Sequence, residues 1–150
     1  MSETTIYNDC TTDCIVKYLK DELNRRNPIP NTLIVNTTRN FDDYNVPTQD
    51  YPVLKVYRVR SQYMPSNKRK STLQLQYGLA LPEQYGLLPY LNWVDININK
   101  ILSFAIHDIN IFIEPMSKAC EYRTLTTELG IPVYSFLRFS FNTTEGIEGN

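Results

Sequence analysis

The sequence has few of the residues from which most catalytic and metal sites are built. In 150 residues it contains one histidine, three cysteines and five glycines. Zinc usually needs four ligands, and the cysteines form no CxxC pair, so a structural zinc site is not expected. The glycines match no phosphate-binding loop, and His107 lies at the end of a predicted helix, where capping is favoured over catalysis. We therefore predict a protein that is not an enzyme and uses no metal or cofactor.

Long apolar runs and an excess of charge are also missing. Residues 1–13 are polar and lack the apolar stretch of a signal peptide, and no run approaches the roughly 20 residues of a membrane span. The formal net charge is −1, so bulk electrostatics draw the chain neither to nucleic acid nor to an anionic membrane. We expect no membrane partner, and one domain over residues 1–150 with flexible termini at about 1–10 and 143–150.

The strongest pattern in the chain is a pair of strand signals joined by a charged connection. The first covers residues 51–60, and the second, 71–81, alternates leucine and tyrosine with polar or small residues. Such period-two alternation is typical of a strand with one buried face. Pro65 and Asn67 favour a turn. We predict an antiparallel hairpin whose long connection, 61–70, carries a basic tip away from a buried root.

Two amphipathic helices are predicted to cover the apolar face of this hairpin. The first spans residues 11–26, with Thr11 or Thr12 as its cap. The second spans 89 to about 106, with apolar residues at steps of three and four and Phe104 widening its apolar stripe. The expected core lies between the second strand of the hairpin and the second helix. It contains Leu73, Leu75, Tyr77, Leu79, Ile98, Ile101 and Leu102.

Shorter strand signals complete the predicted fold. They fall near 32–38, 110–114, 120–125 and 132–141. The order of elements indicates an α+β domain, with a mostly antiparallel sheet, a long hairpin and helices packed on one face. In the last strand Tyr134 and Phe136 share a face on which exposure would be costly, so we expect another chain or a loop to cover them. The eleven tyrosines exceed the needs of one modest core and also favour an oligomer.

The hairpin connection supplies the clearest candidates for contact with a partner. Tyr63 and Met64 can anchor in an apolar pocket, while Lys68, Arg69 and Lys70 can pair with carboxylates at its rim. Two alternatives are a solvated loop without a partner and contact with DNA passing nearby.

The order of elements resembles that of the tail terminator proteins of long-tailed bacteriophages. A helix at 11–26 precedes a strand led by Tyr51-Pro52, an alternating partner strand at 73–81, a helix at 89–106 and terminal strands. The resemblance implies a virion subunit, made in the host cytoplasm, that forms a homohexameric ring at the top of the tail tube. Such rings end tube growth and join the tail to the head, so tail tube and neck connector proteins are the implied partners. DNA would pass nearby through the ring lumen.

Two other interpretations stay open at this stage. One is a different neck connector, stopper or tail ring protein, since these are of similar size. The other is a small-ligand-binding domain or an enzyme without a recognised motif. An enzyme needs a pocket lined by converging titratable groups, and this sequence supplies few of them.

Overall fold

The computed structural model describes residues 9–28, 36–37, 53–79, 87–126 and 132–147. Within these ranges the chain forms three α-helices, six strands and a short 3-10 helix at Pro115–Ser117. The helices are α1 (Cys10–Arg26), α2 (Leu87–Ser103) and α3 (Ala105–Asp108). The strands are β1 (Asn36–Thr37), β2 (Val53–Met64), β3 (Lys68–Leu79), β4 (Phe112–Ile113), β5 (Ala119–Thr126) and β6 (Pro132–Gly146).

The six strands form one mostly antiparallel sheet in the order β1-β2-β3-β6-β4, with β5 also paired to β6. Only the β1–β2 pairing is parallel among the described strands. Strand β6 is central, because it pairs with β3 along one side and with β4 and β5 along the other. The predicted α+β class and antiparallel sheet are confirmed.

Helices α1 and α2 pack on one face of the sheet, as the periodicity predicted. Leu73, Leu75 and Tyr77 lie at most 1% exposed in one core with Ile98 and Ile101 of α2. Ile15, Leu19 and Leu23, one stripe of α1, complete the same core. The side chain of Leu79 and the whole of Leu81 lie outside the described residues.

Helix α1 begins earlier than the sequence suggested, and the predicted cap is wrong. Asp9 is the N-cap, and its carboxylate accepts a hydrogen bond from the backbone N–H of Thr12 at 3.2 Å. An aspartate in this position both satisfies a free N–H and places negative charge at the positive end of the helix. Thr11 and Thr12 therefore belong to the first turn instead of preceding it.

The ten-residue connection predicted at 61–70 is also wrong. Strand β2 continues to Met64 and β3 begins at Lys68, so the turn consists of residues 65–67. Ser66 and Asn67 have φ of 68° and 54°, the left-handed conformation that tight hairpin turns require. The polar residues on either side are strand residues because β6 pairs with the full length of β3 and extends the ladder.

Pairing to β6 overturns the prediction for the C-terminal tail as well. Residues 143–146, expected to be flexible, are paired with residues 68–71 of β3. Phe136, expected to need another chain or a loop over it, is only 7% exposed in the single chain. The side chain of Tyr134 lies outside the described residues.

The second helix departs from its prediction at its C-terminal end. Helix α2 stops at Ser103, and Phe104 separates it from α3. Phe104 is 56% exposed, so it does not widen the apolar stripe. The strand predicted at 110–114 is limited to Phe112–Ile113, whereas the one at 120–125 is confirmed and slightly longer. Of the strand predicted near 32–38, only residues 36–37 lie within the described ranges.

Substitution of Leu75 tests which face of β3 is buried. Leu75 is fully buried at the centre of β3, so Leu75→Ala should lower the free energy of unfolding by about 2–5 kcal/mol in a urea melt. Gln62→Ala, at an exposed position of β2, is the matched control and should change it by less than about 0.5 kcal/mol. Equal effects of the two substitutions would contradict the assignment.

Candidate interaction surface

The distal half of the β2–β3 hairpin forms an arm that extends past the core. Burial along β2 falls from fully buried at residues 53–56 to mostly exposed at 59–64. At about 3.3 Å per residue, the exposed segment from 60 to 64 reaches roughly 13 Å. We use the term "arm" for residues 60–70 together with the part of β6 that pairs with them.

The tip of the arm is a three-stranded ribbon and not a two-stranded hairpin. Met64 pairs with Lys68, and Lys68 pairs with Gly146 of β6. The backbone N–H of Ile147 donates to the carbonyl oxygen of Asn67 at 2.6 Å. Because isolated two-stranded hairpins are marginally stable in water, the third strand gives the arm a fixed shape.

Exposed apolar side chains lie at the end of the arm. Tyr63 is 71% exposed and Met64 is 41% exposed. Strand alternation directs them to opposite faces of the ribbon, Tyr63 toward the helix side. The two residues that the sequence nominated as apolar anchors thus lie together at the tip and are accessible.

Of the three basic residues at 68–70, two form ion pairs with carboxylates of the same chain. Arg69 Nε lies 3.0 Å from Glu145 Oε1 on the helix side of the sheet. Lys70 Nζ lies 3.1 Å from Glu114 Oε2 on the other face. Lys68 is exposed, and no described residue forms an ion pair with it. Of the three predicted contact cations, one is therefore unpaired at the surface.

Tyr134 and Phe136, the other two nominated residues, belong to a different part of the molecule. Phe136 pairs with Gly78, whereas the tip residue Lys68 pairs with Gly146. Ten residues of β6 separate these two positions, which corresponds to roughly 33 Å. The seven nominated residues do not form one surface.

A partly buried polar cluster holds the base of the arm. Arg58 is its centre: Nη2 donates to Asp9 Oδ1 at 3.0 Å, and Nη1 donates to Glu145 Oε1 at 2.5 Å. Ser71 Oγ and Thr11 Oγ1 also donate to the Glu145 carboxylate, at 2.9 and 2.5 Å. The cluster joins the N-terminus of α1, both hairpin strands and the end of β6.

Sequence reasoning missed this cluster because Glu145 lies in a polar, glycine-containing segment that resembles a mobile tail. A signal was nevertheless present. Residues 53–79 contain six Lys and Arg residues and no Asp or Glu. Cations near a core need carboxylates from elsewhere in the chain, and Asp9, Glu114 and Glu145 supply them.

The electrostatics of the cluster favour an ionised Glu145. Burial alone would raise the pKa of this carboxyl, but hydrogen bonds from Arg58, Thr11 and Ser71 and the charge of Arg58 lower it to about 2. Burial alone would lower the pKa of Arg58, but the hydrogen bonds that Arg58 donates to Asp9 and Glu145 outweigh this effect and raise the pKa. Both groups are therefore charged throughout the physiological range of pH.

Two titratable side chains outside the cluster, Cys120 and Tyr122, are held in their neutral form. Burial, together with the charge of and a hydrogen bond with Asp95, raises the pKa of Cys120 to about 12. Burial and the hydrogen bond to Asp95, 2.8 Å long, raise the pKa of Tyr122 to about 12. A thiol is nucleophilic only as its thiolate, so Cys120 is an inert thiol at neutral pH. His107 is exposed on α3.

The sequence was compared with family models and with curated proteins, and neither comparison gave a match. No known family model matches the sequence, and no curated protein matches it significantly. In the described ranges, no three His, Cys, Asp or Glu side chains are grouped so that they could hold a metal ion. None of the helices described is long and apolar enough to cross a membrane.

The low pKa of Glu145 predicts loss of stability in acid. The folded-state pKa lies below that of the unfolded chain, so the stabilisation is complete above about pH 4.5 and is lost as pH falls toward 2. At pH 3 this group accounts for a loss of about 2 kcal/mol relative to pH 7. Urea melts of wild type and Glu145→Gln at both pH values should show a smaller acid effect in the variant.

Glu22→Gln provides the control for that measurement. Glu22 pairs with Arg25, whose side chain is 64% exposed, and such surface pairs contribute under about 1 kcal/mol. If Glu145→Gln and Glu22→Gln reduced the acid sensitivity equally, Glu145 would not be the dominant acid-sensitive group.

Thr143 offers an independent test of the cluster's surroundings. Its side chain is fully buried beside Ser71 in the sheet, and its hydroxyl has no hydrogen-bond partner among the described residues. An unsatisfied buried hydroxyl destabilises a protein by about 1–3 kcal/mol. Thr143→Val retains the β-branched shape, so we expect an increase of about 1 kcal/mol in the free energy of unfolding. A decrease would indicate that the hydroxyl is satisfied in solution.

Proposed function

We propose that this protein is a structural, non-enzymatic subunit of a phage virion, and specifically a tail terminator. In this role six copies form a ring at the top of the tail tube, end tube growth and join the tail to the head. The proposal depends most on one observation, the rigid arm that carries exposed Tyr63 and Met64 beyond the core. A rigid apolar tip of this kind suits insertion into a pocket on an adjacent subunit or ring.

The construction of the arm supports a contact role over that of a solvated loop. A flexible loop loses conformational entropy when it binds, which reduces affinity. Here the ladder to β6 and the ion pairs of Arg69 and Lys70 hold the arm before any partner arrives. The free energy gained from contacts at the tip would therefore favour association without being offset by the cost of ordering the arm.

The state of the titratable groups supports a structural role. The raised pKa values of Cys120 and Tyr122 keep both side chains protonated and poorly nucleophilic. The proposed partners are further copies of this chain, tail tube proteins and neck connector proteins, with DNA passing through the lumen. The virion neck is the proposed location.

The arm would suit a subunit of any ring in the neck or tail, so the more specific assignment to the terminator rests on the order of elements. Gene neighbourhood tests that assignment directly. Flanking capsid, portal or tail tube genes are expected, and a neighbourhood of metabolic genes would favour a ligand-binding domain or an enzyme.

Removing the apolar tip should abolish ring formation and leave the subunit folded. The test variant combines Tyr63→Ser and Met64→Ser, and it retains Arg69 and Lys70 because their ion pairs stabilise the arm. Native mass spectrometry at micromolar concentration should show a hexamer for wild type and a monomer for the variant, with unchanged circular dichroism.

Lys17→Glu is the control, since Lys17 is exposed on α1 and is not part of the arm. It should assemble as wild type does. An oligomer of unchanged size in the tip variant would show that the arm is an ordinary surface feature.

A further inference from the structure

Strand β5 has a row of backbone groups that no described strand pairs with. It pairs with β6 along one side, and none of the strands within the described ranges lies along its other side. A row of N–H and C=O groups at the edge of a sheet is a template for one further strand. The chemistry of this edge therefore specifies an extended polypeptide segment as its occupant.

The backbone of β6 shows which residues of β5 direct their polar groups to the open edge. The N–H of Asn142 donates to Ser117 Oγ at 2.8 Å, and its carbonyl oxygen accepts from the N–H of Glu114 at 2.9 Å. Both groups of Asn142 thus point to the side of β6 on which β4 and β5 lie. These directions alternate along a strand, so residues 140, 138 and 136 of β6 point to the same side.

Their partners in β5 are residues 119, 121 and 123. These three use their backbone groups in the ladder to β6. By the same alternation, Cys120, Tyr122 and Thr124 direct their N–H and C=O groups away from β6. Tyr122, in the middle, is held to α2 by its hydroxyl, which donates to Asp95 Oδ2 at 2.8 Å.

Strand β5 lacks the features that discourage edge-to-edge pairing. It contains no proline, and its register with β6 is unbroken from Ala119 to Leu125. Strand β2, the opposite edge beyond Leu54, has an irregularity between Arg58 and Arg60, and all of its charged residues are basic. Two copies of β2 would bring cations together, whereas β5 contains one residue of each sign, Glu121 and Arg123.

A two-fold antiparallel pairing centred on Tyr122 uses this edge most fully. Tyr122 then lies opposite Tyr122 of a second copy, and Cys120 lies opposite Thr124. The outward groups meet in three hydrogen-bonded pairs, which exchange about six hydrogen bonds. Moving the centre by one residue leaves two such pairs, so the hydrogen bonds select this register before charge is considered.

Charge favours the same register. Cys120 and Tyr122 pair with the core residues Phe139 and Leu137, so positions 121 and 123 lie on the sheet face away from the helices. The pairing centred on Tyr122 places Glu121 of each copy opposite Arg123 of the other. The two neighbouring registers would instead place Glu121 opposite Glu121, or Arg123 opposite Arg123, which is unfavourable.

We propose that two copies of this chain associate through β5, so that their sheets become continuous across a two-fold axis at Tyr122. The inference goes beyond the proposed ring and does not depend on it, since a two-fold contact by itself joins two copies and closes no ring of six. Pairing of one short strand buries little surface. We therefore expect dimers only above roughly 100 μM, well above the micromolar concentration at which the ring is measured.

Disulfide cross-linking tests the axis directly. The test chain has Tyr122→Cys in a background whose three natural cysteines are changed to serine. Opposed Cα atoms of a hydrogen-bonded pair lie about 5.5 Å apart, within the range that a disulfide spans. Oxidation should give a covalent dimer on a non-reducing gel, whether or not the ring forms.

Lys17→Cys in the same background is the control, because Lys17 is exposed on α1. It should stay largely monomeric on the gel. Absence of a dimer for Tyr122→Cys, or equal cross-linking of the two variants, would refute the two-fold axis.

Reversal of charge tests the register. Glu121→Arg and Arg123→Glu each oppose like charges across the axis, so each should raise the dissociation constant of the dimer about tenfold. An equimolar mixture of the two variants should form a heterodimer with wild-type affinity, since each supplies the charge that the other lacks. No effect of either reversal, or no heterodimer in the mixture, would overturn the pairing of Glu121 with Arg123.

Sedimentation velocity up to about 1 mM protein measures these constants. The chains also carry Tyr63→Ser and Met64→Ser, which separates pairing through β5 from association through the arm. If this background still formed rings, the proposed arm contact would be wrong, and the cross-linking result would still decide for or against β5.

Thr124→Pro tests the backbone ladder. Proline removes an N–H that points to the open edge and leaves the ladder to β6 intact, so the dissociation constant should rise about tenfold. Thr124→Val retains the N–H and should associate as wild type does, with circular dichroism confirming both folds. Equal affinities of the two variants would show that the β5 backbone is not the contact.

Discussion

The antiparallel pairing of β3 with β6 is the interaction on which the rest of the structure depends. It runs from Lys68↔Gly146 to Leu79↔Ser135 without interruption. Near its middle it places Leu75 beside Phe139 in the core, and at its distal end it supports the arm. A single ladder therefore contributes to both the core and the arm, because the side chains of the same strands change from apolar to polar along their length.

The change from apolar to polar creates an electrostatic problem at the base of the arm. Arg58 faces the helix side of the sheet, where the core residues Leu54 and Val56 precede it on the same strand. An unpaired guanidinium there would be costly. Asp9 and Glu145 neutralise it from two distant parts of the chain, and Asp9 also caps α1. Helix start, strand end and hairpin are thus held by one group of charges.

The same arrangement bears on the proposed ring. Paired cations stabilise the subunit, whereas Arg60 and Lys68, which form no ion pair with a described residue, and the exposed Tyr63 and Met64 remain available for a neighbour. Interfaces gain most from apolar anchors held rigidly before contact, with charges at the rim directing orientation. The arm meets both conditions through bonds that lie entirely within one chain.

The sequence by itself determined those features that depend on local periodicity. The alternation through Leu73, Leu75 and Tyr77 and the helical stripe through Ile98 and Ile101 predicted the buried faces, since a misplaced face would expose a whole row of apolar side chains. The α+β class and the absence of an evident catalytic motif followed from the same level of information.

Tertiary structure alone decided where the strands end and which charges are available. Residues 61–64 and 143–146 carry little strand signal, and they are strands because both pair with residues 68–71, which for 143–146 is a segment distant in sequence. In the same way Arg69 and Lys70 are adjacent in sequence to Lys68, yet only the fold brings Glu145 and Glu114 to them. Backbone pairing and ion pairing are satisfied by whatever groups the topology brings together, so local composition does not reveal them.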